Sequence, residues 1–243
     1  MDRPFQNVYG HEAWARAYIG GWGLGAKYYT ESVDPAVEPL AAENSFVVMT
    51  GPMAGTLAPT GSRTCLVSKS PHTGTIFESN IGGAFGPELK FAGYDGIVVT
   101  GKADQPVWLR IEDDQVSIES AGDLWGKGIF DTEERLEQAV GVGMKSLAIG
   151  PAGENQIPFA CVGSESYRQM GRGGVGTLFG SKNLKAIAVK GTGGVQVAEI
   201  GEFWGKVSEH LESNLMTIDN QWAKEQGTPM LVDIMNHVGG FPA

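Results

Sequence analysis

The same order of signals is written twice along this chain. After one apolar strand pattern comes Gly51-Pro52-Met53-Ala54-Gly55, and after another comes Gly150-Pro151-Ala152-Gly153. Downstream, Phe85-Gly86-Pro87-Glu88-Leu89-Lys90 precedes the strand GIVVT and Gly101. Likewise Phe179-Gly180-Ser181-Lys182-Asn183-Leu184-Lys185 precedes AIAVK and Gly191. Gly-rich pieces, Gly82-Gly83 and Gly173-Gly174, lie between these marks. Each half reads as strand, Gly-Pro turn, strand, Gly-rich loop, Leu-Lys helix, strand, which is a duplicated α+β unit. Duplication predicts a pseudo-twofold that brings both Gly-rich loops to one surface, where a bipartite anion fits between them.

The rest of the pattern fills in that frame. Strands are predicted at 44–51, 63–69, 75–79, 96–100, 146–150, 159–163 and 186–190. A hairpin is expected over 107–111 and 116–119, around Asp113-Asp114. Residues 11–31 read as a helix interrupted by Gly20, Gly21, Gly23 and Gly25. Asp131 and Glu134 have capping-box spacing at the head of a helix that Gly141 stops. From Glu202 the period changes to helical, through Phe203, Val207, Leu211 and Leu215, and Thr228-Pro229 opens another helix. The fold class expected is α+β. Two related β-sheets with short helices form a base over residues 1–196, and an incomplete α-helical region begins over 197–243.

Composition excludes several functions. The net charge of −10 argues against a nucleic-acid partner. No run of 18 apolar residues exists, so no membrane span is expected, and the opening MDRPFQNVYG has no signal-peptide core, which makes the cytoplasm the default. Two cysteines, Cys65 and Cys161, allow no cysteine-only metal site and sit in apolar strand patterns as inert thiols. His11, His72, His210 and His237 are scattered without partner spacing. Asp113-Asp114 reads as a turn, and Glu133, Glu134 and Glu137 as a solvated helix face.

With so few basic residues, the placement of the seven arginines is informative. Arg63, Arg168 and Arg172 all fall in Gly-rich segments, where a guanidinium beside bare backbone N–H groups suits a phosphate. In APTGSR, Arg63 follows a Pro-Gly turn and starts a strand; an ordinary loop arginine is the equal alternative. In ESNIGGAFG, Gly82 and Gly83 lie just before a helix N-terminus, a ready anion site, and Asn80 offers a carbonyl suited to a hard cation. A merely steric role for these glycines is the competing reading. In YRQMGRGGVGTLFG, Gly171, Gly173 and Gly176 spell G-x-G-x-x-G. A Rossmann site is disfavoured, because Tyr167–Met170 intervene after the strand and the residue 20 positions on is Gln196. No Walker A, G-x-S-x-G or H-E-x-x-H occurs. What emerges is an anion-binding surface without an evident nucleophile or base.

The segments VDPAVEPLAAEN, GPMAGTLAPTGSR, SPHTGTIFESNIGGAFGPELKFAGYDGIVV, IGPAGEN and YRQMGRGGVGTLFGSKNLKAIAVKG together resemble the N-terminal domain of the tungsten-containing aldehyde:ferredoxin oxidoreductases, over about Tyr18 to Gly191. The family includes a benzoyl-CoA-reducing branch. The resemblance implies a base of two related sheets holding a bis-pyranopterin tungsten (or molybdenum) cofactor. Arg63 would contact the pterin, between it and an iron–sulfur cluster. Asn80 and Gln169 would hold a Mg²⁺ bridging the two phosphates; the family commonly has Ala at the latter position, so a backbone carbonyl would serve. Gly82 and Gly83 would present backbone to the cofactor, and Arg168, Gln169, Gly171 and Arg172 would form the second half of the cradle. No catalytic residue is assigned.

The implied reaction of the intact enzyme is aldehyde plus water to carboxylic acid. Electrons would leave through a 4Fe–4S cluster to ferredoxin or another electron-transfer protein, with a homodimer or electron-transfer subunits compatible. The cluster cysteines of the family are not in this sequence, both ends look shortened, and the chain alone is expected to be inactive. The alternative is a stand-alone phosphate- or nucleotide-binding module using the same loops.

Overall fold

The structure is a computed structural model that describes residues 12–217 and 220–241. The first helical pattern folds as two helices, α1 (Glu12–Tyr18) and α2 (Gly21–Ser32), broken where Ile19 turns left-handed at φ 66°. Next comes a sheet of β1 (Phe46–Thr50), β2 (Thr64–Lys69), β3 (Ile76–Ile81) and β4 (Gly96–Val99), all antiparallel, in order β3-β2-β1-β4. Between β3 and β4 runs α3 (Phe85–Phe91). A hairpin of β5 (Val107–Glu112) and β6 (Gln115–Ser120) follows, then α4 (Ile129–Val140), β7 (Lys145–Ala148), α5 (Pro151–Glu154), β8 (Val162–Ser164), β9 (Arg168–Met170), α6 (Val175–Ser181) and β10 (Leu184–Lys190). These strands form a second sheet in order β6-β5-β10-β7-β8-β9, with β5 and β10 parallel and the other pairs antiparallel.

The duplication is present in the topology. The run β9-β8-β7-β10 repeats β3-β2-β1-β4 in chain order and in antiparallel sense, with a seven-residue helix before the last strand of each. Registers match too. Met49, two residues before Gly51-Pro52, pairs with Cys65, which pairs with Asn80. Ala148, two residues before Gly150-Pro151, pairs with Gly163, which pairs with Gln169. The β5–β6 hairpin is an addition at the β10 edge.

Alternation explains the layering. Phe46 and Val48 on β1, with Ile187 and Val189 on β10, enter one core shared by both sheets, α3 and α6; there Phe46 stacks on Phe179 at 4.8 Å between centroids. Val47 and Met49 face the other way, onto Leu24 and Tyr29 of α2. Ala186 and Ala188 face α4, whose Leu136 and Val140 fill the space those small residues leave. Burying side chains of Leu, Val or Phe size contributes about 1.5–3 kcal/mol each.

Several expectations are corrected. The Phe-Gly…Leu-Lys segments are not equivalent: the first is the body of α3, whereas the second begins at the end of α6 and its Leu184-Lys185 opens β10. The helix after the hairpin starts at Ile129, with Gly128 as N-cap, so Asp131 and Glu134 form no capping box; Thr132 Oγ1 donates instead to Gly128 O at 2.7 Å. The strand expected at 159–163 is only Val162–Ser164, and β9 stands where a continuous loop was expected.

By contacts the chain divides into one unit of Met1–Thr56 and Thr60–Val195 and another of Leu57–Pro59 and Gln196–Ala243. The second contains α7 (Ile200–His210), which continues as one π-helical turn (Leu211–Leu215), then α8 (Gln221–Gln226) and α9 (Met230–His237).

A buried lysine ties the start of β10 to the first sheet. Lys182 is 3% exposed and donates to Ala42 O (3.1 Å) and Gly101 O (2.9 Å). Burial pushes its pKa down to about 8, with Glu43 partly opposing. A lysine depressed in the folded state binds less proton there than in the unfolded chain, so its contribution grows as pH rises from about 8 towards 10.5. Urea unfolding at pH 7.5 and 10.5 is expected to show the unaltered chain gaining roughly 2–3 kcal/mol relative to Lys182→Met. Tyr29, which burial shifts upward, loses stability above pH 10 alike in both proteins. Equal pH dependence in the two would rule out this burial cost.

Candidate functional site

The two sheets meet at their equivalent edges, β3 against β9. Like elements meeting each other is what a pseudo-twofold between the halves produces. Three hydrogen bonds stitch the junction. Arg172 N donates to Ser79 Oγ (3.3 Å), Ser70 Oγ donates to Gly173 O (2.9 Å), and Ala84 N donates to Glu165 Oε2 (2.8 Å). The Gly-rich loops therefore lie side by side.

Two glycines are required by this closeness. Gly173, at φ 72°, has the Phe77 ring where a Cβ would sit, 2.1 Å away. Gly83, at φ 95°, has Glu165 Oε2 at 1.9 Å and Arg168 Cδ at 2.5 Å. Arg168 extends over Gly82 and Gly83, its Nη1 lying 3.1 Å from the Cβ position of Gly82. Arg63 leaves β2 one residue before Thr64, which pairs with Ile81, so it emerges beside Gly82. Gly86 packs against the same turn, its Cβ position 2.4 Å from Thr64 Oγ1 and 3.5 Å from Ser62 O.

The eight residues expected from the sequence are thus gathered at one junction. Asn80 and Gln169 occupy equivalent registers in the two halves. Asn80 is exposed, and its amide has no partner among the described residues. The Gln169 amide oxygen accepts from Cys161 Sγ at 2.8 Å. Arg168 pairs with Glu165 at 3.5 Å, and Arg110 pairs with Glu112. Arg63 and Arg172 are exposed and form no ion pair among the described residues.

One part of the expectation fails. The start of α3 is not an open anion site, because the Glu165 carboxylate already takes the Ala84 amide. Glu165 was missed in the sequence, as was Glu133. The latter is no solvated face: it is half-buried on α4 and accepts from Ser166 N at 2.9 Å. Burial raises its pKa, against the lowering effect of its hydrogen bonds. No sequence signal links Glu165 to Ala84, 81 residues apart.

Cys65 is buried, its thiol pushed up to about 12 by burial, and Cys161 is raised by burial as well, so neither is a thiolate at neutral pH. Among the described residues no group of three His, Cys, Asp or Glu is placed to hold a metal, and no helix is long and apolar enough to cross a membrane. A shallow concavity lined by Lys127 and, on α4, by Asp131, Glu134, Arg135 and Gln138 lies elsewhere. The junction is an open face.

The chain is thus a duplicated two-sheet base with two Gly-rich loops and three arginines at the β3–β9 junction. Residues 3–191 match the family model described as the N-terminal domain of aldehyde ferredoxin oxidoreductase. The chain is 44% identical over 234 residues to the tungsten-containing aldehyde ferredoxin oxidoreductase of Pyrococcus abyssi, covering 96% of this chain and 39% of that protein. It is 36% identical to the WOR-like subunit of an aliphatic sulfonate oxidoreductase of Pyrococcus furiosus, over 73% of this chain and 31% of the relative. Its fold superposes with a TM-score of 0.83 on the BamBC active-site complex of benzoyl coenzyme A reductase solved with 1,5-dienoyl-CoA. That match has 35% identity and covers 90% of this chain and 32% of the other. The chain belongs to the aldehyde ferredoxin oxidoreductase family, matching its N-terminal domain, and spans about two fifths of the length of the aldehyde ferredoxin oxidoreductase it matches.

Proposed function

We propose that residues 1–196 form the base that holds a bis-pyranopterin tungsten cofactor by its phosphate tails, in an enzyme that oxidises aldehydes to carboxylic acids. Residues 197–243 begin its helical region. The observation that carries this reading is the junction itself: two equivalent Gly-rich loops side by side, with Arg63 and Arg172 exposed and without an ion pair among the described residues of an acidic chain.

The residues present fit the group. Glycines at 82, 83 and 171 let backbone approach closely, and three guanidiniums match the phosphate charge. Asn80, through its exposed amide oxygen, and Gln169, through its main-chain carbonyl, are the equivalent pair that would hold a bridging Mg²⁺. When bound, the cofactor supplies two-electron redox chemistry; the chain's part is binding and orientation. Electrons would pass through a 4Fe–4S cluster to ferredoxin, and none of the described residues is assigned as a cluster ligand. Relatives named for an aliphatic sulfonate and for benzoyl-CoA share this domain, which fits a base that holds the cofactor and leaves substrate choice to other parts of the enzyme.

The test is tungsten and pterin per chain in the whole enzyme. Arg172→Ala is expected to lower occupancy several-fold, since each charge-assisted bond contributes about 1.5–3 kcal/mol. Arg172→Lys recovers part, for want of the bidentate fork. Arg110→Ala, whose guanidinium is already paired with Glu112, leaves occupancy unchanged. Full occupancy in Arg172→Ala removes that arginine from the cradle.

A further inference from the structure

A line of contacts crosses the junction that the cradle reading does not use. It begins at Glu133. Its neighbours Glu134 and Glu137 are exposed, but Glu133 turns inward and accepts from the backbone amide of Ser166 (2.9 Å), with Ser146 Oγ at 3.5 Å. Glu165 and Ser166 are both left-handed, at φ 49° and 63°, a conformation unfavourable for residues with a Cβ. Glu133 supplies the acceptor that holds this turn. From the turn, Glu165 reaches the other half of the molecule, where Oε2 binds Ala84 N at 2.8 Å and lies 3.5 Å from Arg168 Nε.

Arg168 is thereby held by its Nε edge over Gly82 and Gly83, and its side chain stays about half exposed. The Nη edge has no hydrogen bond or ion pair among the described residues. An unconstrained arginine loses rotamer freedom when it grips a ligand, and an arginine already fixed loses less. The opposing effect is neutralisation by the carboxylate, and the sign of the change in Glu165→Gln decides between the two.

Resting on the cradle reading, we propose that Glu165 and Glu133 are positioning residues: Glu165 holds Arg168 across Gly82–Gly83 with its Nη edge presented to the ligand's phosphate, and Glu133 holds the turn that delivers Glu165. Neither residue touches the ligand.

The experiment is titration of the whole protein, freed of cofactor, with inorganic pyrophosphate, followed by ³¹P NMR. Glu165→Gln keeps an acceptor for Ala84 N and loses the charge; it is expected to weaken binding about 3- to 10-fold. Glu133→Gln acts in the same direction and less, and Glu134→Gln not at all. The deciding readout is coupling: in an Arg168→Ala background, Glu165→Gln should weaken binding no further. A merely structural role would give the same loss in both backgrounds and would overturn the proposal. Tighter binding in Glu165→Gln would overturn it too, since the carboxylate would then only compete with the anion. If the unaltered protein does not bind pyrophosphate, or if Arg168→Ala and Arg172→Ala both leave binding intact, the cradle reading itself falls and the proposal with it.

Discussion

Lys185→Met is expected to destabilise the chain by about 3–5 kcal/mol, a large part of the stability of an ordinary domain. Lys185 has no exposed side-chain surface, and it pairs with Glu154, which is 4% exposed. It also donates to Lys127 O at 2.7 Å, while Glu154 accepts from Gly126 N at 2.8 Å. Removing the ammonium strands a carboxylate in the interior. Burial lowers the Lys185 pKa and Glu154 opposes that shift, so attraction and desolvation are set against each other here. Replacing both partners, as Lys185→Met with Glu154→Gln, should therefore recover much of the loss. Denaturant unfolding of Lys185→Met, Glu154→Gln and the double variant checks this. Single changes that each cost under about 1 kcal/mol would show that the pair carries no buried charge.

Gly180→Ala and Gly83→Ala should separate fold from function. A Cβ at Gly180 would lie 1.9 Å from Gly153 O, where α6 crosses α5, and backbone cannot step aside there. About 3 kcal/mol or more of stability should be lost. At Gly83 the atoms in the way are the ends of the Glu165 and Arg168 side chains, which can move. Strain at φ 95° adds roughly 1–2 kcal/mol. Gly83→Ala should thus remain folded, with a melting point a few degrees lower, yet lose cofactor severalfold, because moving those side chains undoes the junction. Thermal melts beside tungsten analysis read both effects. Gly83→Ala with full tungsten, or Gly180→Ala melting like the unaltered chain, would contradict them.

Much of the frame was legible because it is local. The apolar runs of β1, β2 and β10 and the two Gly-Pro turns announce themselves in a few residues each, and the repeat follows from their order. The repeat misled where identical letters serve different elements. Leu89-Lys90 lie inside a helix and Leu184-Lys185 inside a strand, because Asn183 turns left-handed at φ 56° and sends the second copy straight into β10. β9 was hidden because its three residues look like part of a glycine-rich loop, and only pairing with Val162–Ser164 makes them a strand. The capping box failed because Gly128 supplies the extended backbone that the N-cap needs, three residues earlier than Asp131 suggests. At the site, the arginines and glycines could be read from composition and motif. Glu165 and Glu133 could not: their partners lie 81 and 33 residues away.

The equivalence of Asn80 and Gln169 is clear only from strand register, and it leads to the most direct test. An experimental structure of the whole enzyme with its native cofactor, at a resolution that shows phosphates, should place those phosphates against both loops. One set of contacts would come from Asn80 and Gly82–Gly83, the other from Arg168–Arg172, with a single cation between Asn80 and Gln169. Phosphates that touch one loop only, or a cofactor seated away from the β3–β9 junction, would contradict the duplicated cradle.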